Sequence, residues 1–264
     1  MKKRPIRFTL GYVLGLLMMT FSHSGFAITY GVADGNKHPE VGALLDIDQS
    51  GNLYAYCSGT LISPTVMLTA AHCDPVDPAN VSVTFDPVAK NATAVYTGHF
   101  HAHPEYSPAQ NDPHDIAVIV FDSPISGITP AKLPTLGVFD TLKDNGLLKG
   151  THYTAVGYGG QERNFDGQGQ PIIAYEDTRE WSVQSFNALN KAWLRLSQNQ
   201  ATGDSGACYG DSGGPNFTGS GANESTVIAG TTITGDMQCV ATNVIYRLDT
   251  PSARDFLQGF IMLP

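Results

Sequence analysis

Near the end of a 264-residue chain, Gly210-Asp211-Ser212-Gly213-Gly214 sets one hydroxyl among glycines, inside the run ACYGDSGGP (207–215). Turns favour the same residue types. Chemistry needs one thing more, because a serine hydroxyl is a weak nucleophile at neutral pH until a neighbouring base takes its proton. Eight histidines could serve, and the last of them is His152. None follows Ser212, which excludes the G-x-S-x-G elbow of the α/β-hydrolases, where the histidine comes after the serine. His72, in TAAHC (69–73), stands behind an apolar stretch and beside a cysteine. Asp115, in HDIAVIVF (114–121), stands at the mouth of an apolar strand, where a half-buried carboxylate needs a partner. The order His, Asp, Ser is one of three in which base, orienting acid and nucleophile occur together, and the chemistry they perform is acyl transfer.

The elements that must position these residues are mostly strands. Charge is sparse, and short β-rich runs alternate with turn signals: SVTF (82–85), IAVIVF (116–121), HYTAVGYG (152–159), TVIAGTTIT (226–234) and NVIYRL (243–248). That spacing predicts antiparallel β-structure, a barrel or a sandwich. A polar, Gly-rich loop covers 160–171. A single helix is expected at the C-terminus, with Thr250 as cap, Pro251 at its first position, and Ala253, Phe256, Leu257, Phe260 and Ile261 on one face. Cys57, Cys73, Cys208 and Cys239 make an even set with no CxxC spacing, which suggests two disulfides with three connectivities open.

Residues 1–27 read as a secretory leader: Lys2, Lys3, Arg4 and Arg7, an apolar run from Phe8 to Phe21, then small Gly25 and Ala27 at a cleavage site. The apolar run is shorter than the roughly 20 residues that cross a bilayer. Losing the leader removes four basic and no acidic residues, leaving 11 basic against 24 acidic, a formal charge of −13. Such a surface repels nucleic acid and anionic membranes, so neither is expected as a partner. A secreted or periplasmic monomer acting on protein or peptide is expected, with no cofactor and no metal. His99, His101 and His103 alternate, and on one strand face they could ligate zinc or copper; HPEY (103–106) reads better as a loop.

The chain resembles the trypsin-like (chymotrypsin-fold) serine proteases. The matching pieces are CSGTLISP (57–64), TAAHC, HDIAVI, VGYGG (156–160), CYGDSGGP (208–215) and the C-terminal helix, in the family's order over almost the whole span after the leader. The resemblance implies two antiparallel six-stranded β-barrels with a C-terminal helix, residues 28–135 forming the first and 136–264 the second, with the active site between them. It implies His72 as general base, Asp115 as its orienting acid and Ser212 as nucleophile, with the N–H groups of Gly210 and Ser212 as oxyanion hole. It implies the pairings Cys57–Cys73 and Cys208–Cys239. The family's primary pocket has its base six positions before the serine, here Gly206 followed by Ala207, and its wall strand aligns with Ile233-Thr234-Gly235, so the usual Trp is absent. No carboxylate sits at that base, which points to a small or apolar residue before the cut. Asp204 and Asp236 keep a preference for Arg or Lys open. A pocket so altered also leaves open an inactive binding protein on the same fold, or an esterase.

The stretch GFAITYG (25–31) has a further meaning under that resemblance. In trypsin-like proteases the carboxylate beside the nucleophile, here Asp211, pairs with a newly freed Ile or Val amine. Cleavage after Ala27 would expose Ile28 directly, so removal of the leader is expected to activate the protein with no further zymogen stage.

Overall fold

A computed structural model describes residues 28–161, 163–165, 167–168 and 171–264. The leader at 1–27 and part of the Gly-rich loop lie outside the described residues.

Among the described residues, fifteen strands follow in chain order. β1 is Val32–Ala33, β2 Val41–Ile47, β3 Leu53–Ser63, β4 Val66–Thr69, β5 Val81–Thr84, β6 Tyr96–Ala102 and β7 Ala117–Phe121. Then come helix α1 (Val138–Asp144), β8 His152–Gly157, β9 Arg163–Phe165, β10 Pro171–Ile173, β11 Glu180–Leu189, β12 Trp193–Ser197, β13 Pro215–Thr218, β14 Ile228–Gly235, β15 Thr242–Arg247 and helix α2 (Pro251–Leu257).

Two closed barrels result. The first runs β2-β3-β4-β7-β6-β5 and closes through β2 on β5; the second runs β11-β12-β15-β14-β13-β8 and closes through β8 on β11, every pairing antiparallel. Period-two alternation explains the closure: along β11 buried and half-buried residues alternate from Glu180 to Ser185, so one face turns to the barrel interior. Leu44, Leu61, Met67, Val83 and Ile119 fill the first barrel. Tyr153, Leu194, Leu196, Ala229 and Ile245 fill the second. Each such side chain stabilises the fold by about 1.5–3 kcal/mol on burial. Val156, Tyr158, Tyr246 and Leu257 belong to a third cluster with Val41, Leu68 and Val118, which joins the barrels.

Residues 28–33 precede the first barrel but pair with the second. β1 lies on β11, and Thr29 bridges Gly206, whose N–H donates to the Thr29 carbonyl at 3.1 Å. A buried charge cluster anchors the chain just after this segment. The His38 imidazole bridges the Asp34 and Glu224 carboxylates, and Arg179 Nε donates to Asp34 Oδ2 at 2.9 Å. Burial alone would push the Asp34 carboxyl up, but His38 and Arg179 outweigh it and hold it near 2. Burial alone would lower His38; the two carboxylates beside it raise it above its ordinary value.

The four cysteines close two bridges, Cys57–Cys73 and Cys208–Cys239. α2 begins at Pro251 with Thr250 Oγ1 accepting the Ala253 N–H at 3.3 Å, and it ends at Leu257, before Phe260 and Ile261. α1 has no counterpart in the sequence reading; its N-terminus is held by Asp249, whose Oδ2 accepts the Phe139 N–H at 2.9 Å.

Candidate active site

The apolar strand β4 runs into Ala70 and a single helical turn, Ala71–Cys73, that carries His72. The Cys57–Cys73 bridge fixes the backbone next to the imidazole. Asp115 precedes β7, is buried, and grips His72 twice: Oδ2 lies 2.8 Å from Nδ1, and Oδ1 accepts the His72 backbone N–H at 3.0 Å. A carboxylate acceptor at Nδ1 places the ring proton there and leaves the Nε2 lone pair facing outward. The imidazole keeps 29% of its surface exposed, so a substrate can reach it.

Ser212 comes from the loop before β13 in the other barrel. Ser58 of β3 ties this loop to the histidine side. Its N–H donates to the Ser212 carbonyl at 2.8 Å and its Oγ to the Gly210 carbonyl at 2.9 Å. Its own carbonyl accepts Thr69 Oγ1 at 2.8 Å, and Thr69 ends the strand that leads to His72. Nothing bulkier than glycine fits at 213: φ is +79°, and a Cβ would stand 2.1 Å from Thr69 Oγ1 and 2.4 Å from the Ser58 carbonyl. Gly210 is also left-handed, at φ +97°. Among the described residues the N–H groups of Gly210 and Ser212 donate to no protein acceptor. Two free, preoriented amides beside a hydroxyl are what a developing oxyanion requires.

Asp211 is enclosed completely. Its Oδ1 accepts the Gly159 N–H and its Oδ2 the Cys208 N–H, each at 2.8 Å. Burial raises its carboxyl to about 7 in spite of those two donors. The Ile28 backbone N–H, an amide in the uncleaved chain, donates to Glu180 Oε2 at 3.0 Å, with the Ile28 side chain wholly buried.

His72, Gly210 and Ser212 line a cavity of about 560 Å³ that continues past Ala207, Thr234 and Gly235. Gly206 is buried behind it, and a Cβ there would lie 1.9 Å from Gln198 Oε1. Gln198 fills the space an acid at that base would need. Asn243 lines the cavity and donates to Gln184 Oε1 and Asn216 Oδ1, both at 3.0 Å. Asp204 does not reach the cavity; it accepts Ser185 Oγ at 2.6 Å and Thr202 Oγ1 at 3.0 Å. Asp236 lines the cavity, yet its oxygens face its own loop and accept the N–H groups of Gln238, Val240, Ala241 and Thr242. Burial would raise its carboxyl, and those four donors hold it below the ordinary value.

The alternating histidines do not converge. His99 and His101 are exposed on β6, while His103, beyond the strand end, stacks on His114 at 4.5 Å. Reading the sequence missed Ser58, Gln198 and Glu180. Ser58 at least sits inside CSGTLISP; the other two carry no local signal, because their partners are distant in the chain.

The sequence model of one protein family, described as Trypsin, matches residues 33–254. The chain is similar to Limulus clotting factor C of Carcinoscorpius rotundicauda, 26% identical over 189 residues, covering 61% of this chain and 18% of that protein. It is similar to a trypsin of Phaedon cochleariae, 27% identical over 172 residues, covering 62% of this chain and 64% of that protein. The match therefore spans less than two thirds of either relative.

Proposed function

Because the chain belongs to the trypsin family, we propose that it is a serine endopeptidase and that Ser212, His72 and Asp115 form its catalytic triad. Ser212 Oγ attacks the scissile carbonyl carbon while its proton passes to His72 Nε2. The oxyanion is held by the Gly210 and Ser212 N–H groups. His72 then gives the proton to the leaving amine, and water, activated by the same imidazole, releases the acyl group from Ser212. Asp115 holds the ring in the required tautomer and stabilises the imidazolium. The observation that carries this reading is the double grip of Asp115 on a His72 that shares one cleft with Ser212. We take 28–135 and 136–264 as the two halves of one secreted, monomeric peptidase, with proteins or peptides as substrates.

The preferred residue before the cut is small or apolar. Asp204 and Asp236 are both occupied by local donors, so neither of these two carboxylates is free for Arg or Lys, and Asn243 lines the cavity with an uncharged amide. Gly206→Asp, the change that places an acid at the usual base, is expected to fail as a specificity switch, since its Cβ meets Gln198 at 1.9 Å. On chromogenic peptides the variant should cleave after Arg at less than about a tenth of the native rate on the preferred substrate. Efficient Arg cleavage by that variant would show that the pocket floor is open.

Activation follows from cleavage after Ala27, which frees the Ile28 amine. Intact mass of the secreted protein, before and after a fluorophosphonate probe, tests both parts. A chain starting at Ile28 with one adduct on Ser212 is expected. Absence of an adduct would make this a binding protein that keeps the fold without the chemistry.

A further inference from the structure

We infer that Glu180 is a second carboxylate of the activation pocket: it receives the freed Ile28 amine and seats it beside Asp211. This rests on the reading that Ile28 becomes the N-terminus. Glu180 opens β11, is wholly buried, and its Oε2 already accepts from the Ile28 nitrogen at 3.0 Å. The turn behind that contact is tight. The Gly31 N–H donates to the Ile28 carbonyl at 2.6 Å, and a Cβ on Gly31 would stand 3.0 Å from Glu180 Oε2 and 2.7 Å from the Ile28 Cβ. The Thr29–Gly206 bridge then joins this turn to the wall of the substrate cavity.

The two carboxylates are linked through one residue of β8, which pairs with Glu180 and faces Asp211. Gly157 is the cross-strand partner of Glu180, and a Cβ on Gly157 would lie 2.2 Å from Asp211 Oδ1. Both Asp211 oxygens already accept backbone N–H groups, so what Asp211 lacks is a cation rather than hydrogen bonds. An α-ammonium has three N–H donors, and its carbon skeleton is already held in place by the buried Ile28 side chain. One bond to Glu180 leaves two N–H donors for other acceptors. The division of labour is that Glu180 captures the amine and Asp211 transmits its arrival to the oxyanion loop.

Among the described residues, titratable groups near the pocket include Tyr175, which lies close enough to Asp211 and Tyr209 to feel their charge, and Arg179, whose guanidinium turns away to Asp34 and Asn36. Asp34 and His38 complete the ring of charges on the β1 side. None of these supplies a cation to Asp211. An opposite charge raises the pKa of an amine, so two carboxylates keep Ile28 protonated further into alkaline solution than one would.

Glu180 touches no substrate and is a positioning residue; its test needs a readout that a purely structural role would leave alone. In the secreted protein, Glu180→Gln keeps the shape and the acceptor oxygen but removes the charge. The kcat/KM at pH 8 is expected to fall about 10- to 100-fold, the loss that goes with one charged hydrogen bond. The alkaline limb of the pH–rate profile is expected to move down by about one unit. Glu180→Asp should recover part of both, and cyanate should carbamylate Ile28 faster in Glu180→Gln than in the native protein. Intact mass separates two kinds of failure. A chain that starts at Ile28 and keeps native kcat/KM, alkaline limb and carbamylation rate in Glu180→Gln overturns the role of Glu180 alone. A chain that starts elsewhere overturns the activation reading and this inference with it.

Discussion

Ser212→Ala is expected to lower kcat by about 10⁶-fold with KM nearly unchanged, because the substrate is still bound but the nucleophile is gone. His72→Ala should cost about as much, and the double variant little more than either alone, since the two groups act as one unit. A residual rate about 10³- to 10⁴-fold above the uncatalysed reaction should remain from the Gly210 and Ser212 amides and from binding. The structure gives this non-additivity a mechanical basis. Ser58 holds the Ser212 and Gly210 carbonyls and receives Thr69 from the strand leading to His72, so neither substitution should disturb the position of the other group. Single-turnover assays on ester and amide substrates measure all three variants. Additive losses in the double variant would mean that Ser212 and His72 act in separate steps.

The second large effect is on stability and concerns the chain before cleavage. In a form with one residue added ahead of Ile28, no ammonium can reach Asp211. Its carboxyl then titrates near 7 when folded, because of burial, and near 3.8 when unfolded. Between those values the folded chain holds a proton that the unfolded chain has lost, so stability falls as pH rises from about 4 to about 7 and levels off above. The total is on the order of 4 kcal/mol. Asp211→Asn removes the slope, so the extended chain bearing it should be the more stable protein at pH 8 and yet gain no activity when matured. Urea midpoints of the extended chain at pH 4, 5, 6, 7 and 8, with and without Asp211→Asn, check this. Equal slopes in the two proteins would assign the pH dependence to other groups. Maturation supplies the missing cation, so the mature chain should outlast its precursor in urea at pH 8.

Much of this architecture can be read from the chain because its signals are local. The β-branched and aromatic runs IAVIVF and HYTAVGYG mark β7 and β8, and Thr250-Pro251 marks the start of α2, since the cap and the fixed proline φ act within one turn. β2, β11 and β12 are less visible. β11 carries Glu180 and Gln184 at buried positions, where Glu180 Oε2 accepts the Ile28 N–H and Gln184 Oε1 accepts from Asn243 of β15. The histidine, aspartate and serine motifs stand out because acyl transfer restricts residue types nearby. What surrounds them does not. Gln198 sits under Gly206, and Glu180 meets Ile28 across 152 positions. Contacts of that kind arise from barrel closure and have no signature at either end of the pair. The histidines at 99, 101 and 103 show the reverse error: strict alternation holds only while the strand lasts, and β6 stops at Ala102.

If the proposed peptidase takes its substrates as extended strands, it must keep its own strands out of the reach of other copies. Here each barrel closes on itself, so β2 to β7, and β8 with β11 to β15, spend their backbone hydrogen bonds on neighbours. An extended, unpaired segment is what a cleft of this sort can capture. In the 236–241 loop, where Met237 is 77% exposed, a cut before Cys239 would leave the downstream end fastened through Cys239 to Cys208. Closure thus does more than hold a site together: it leaves the molecule few extended edges for a second copy to grip.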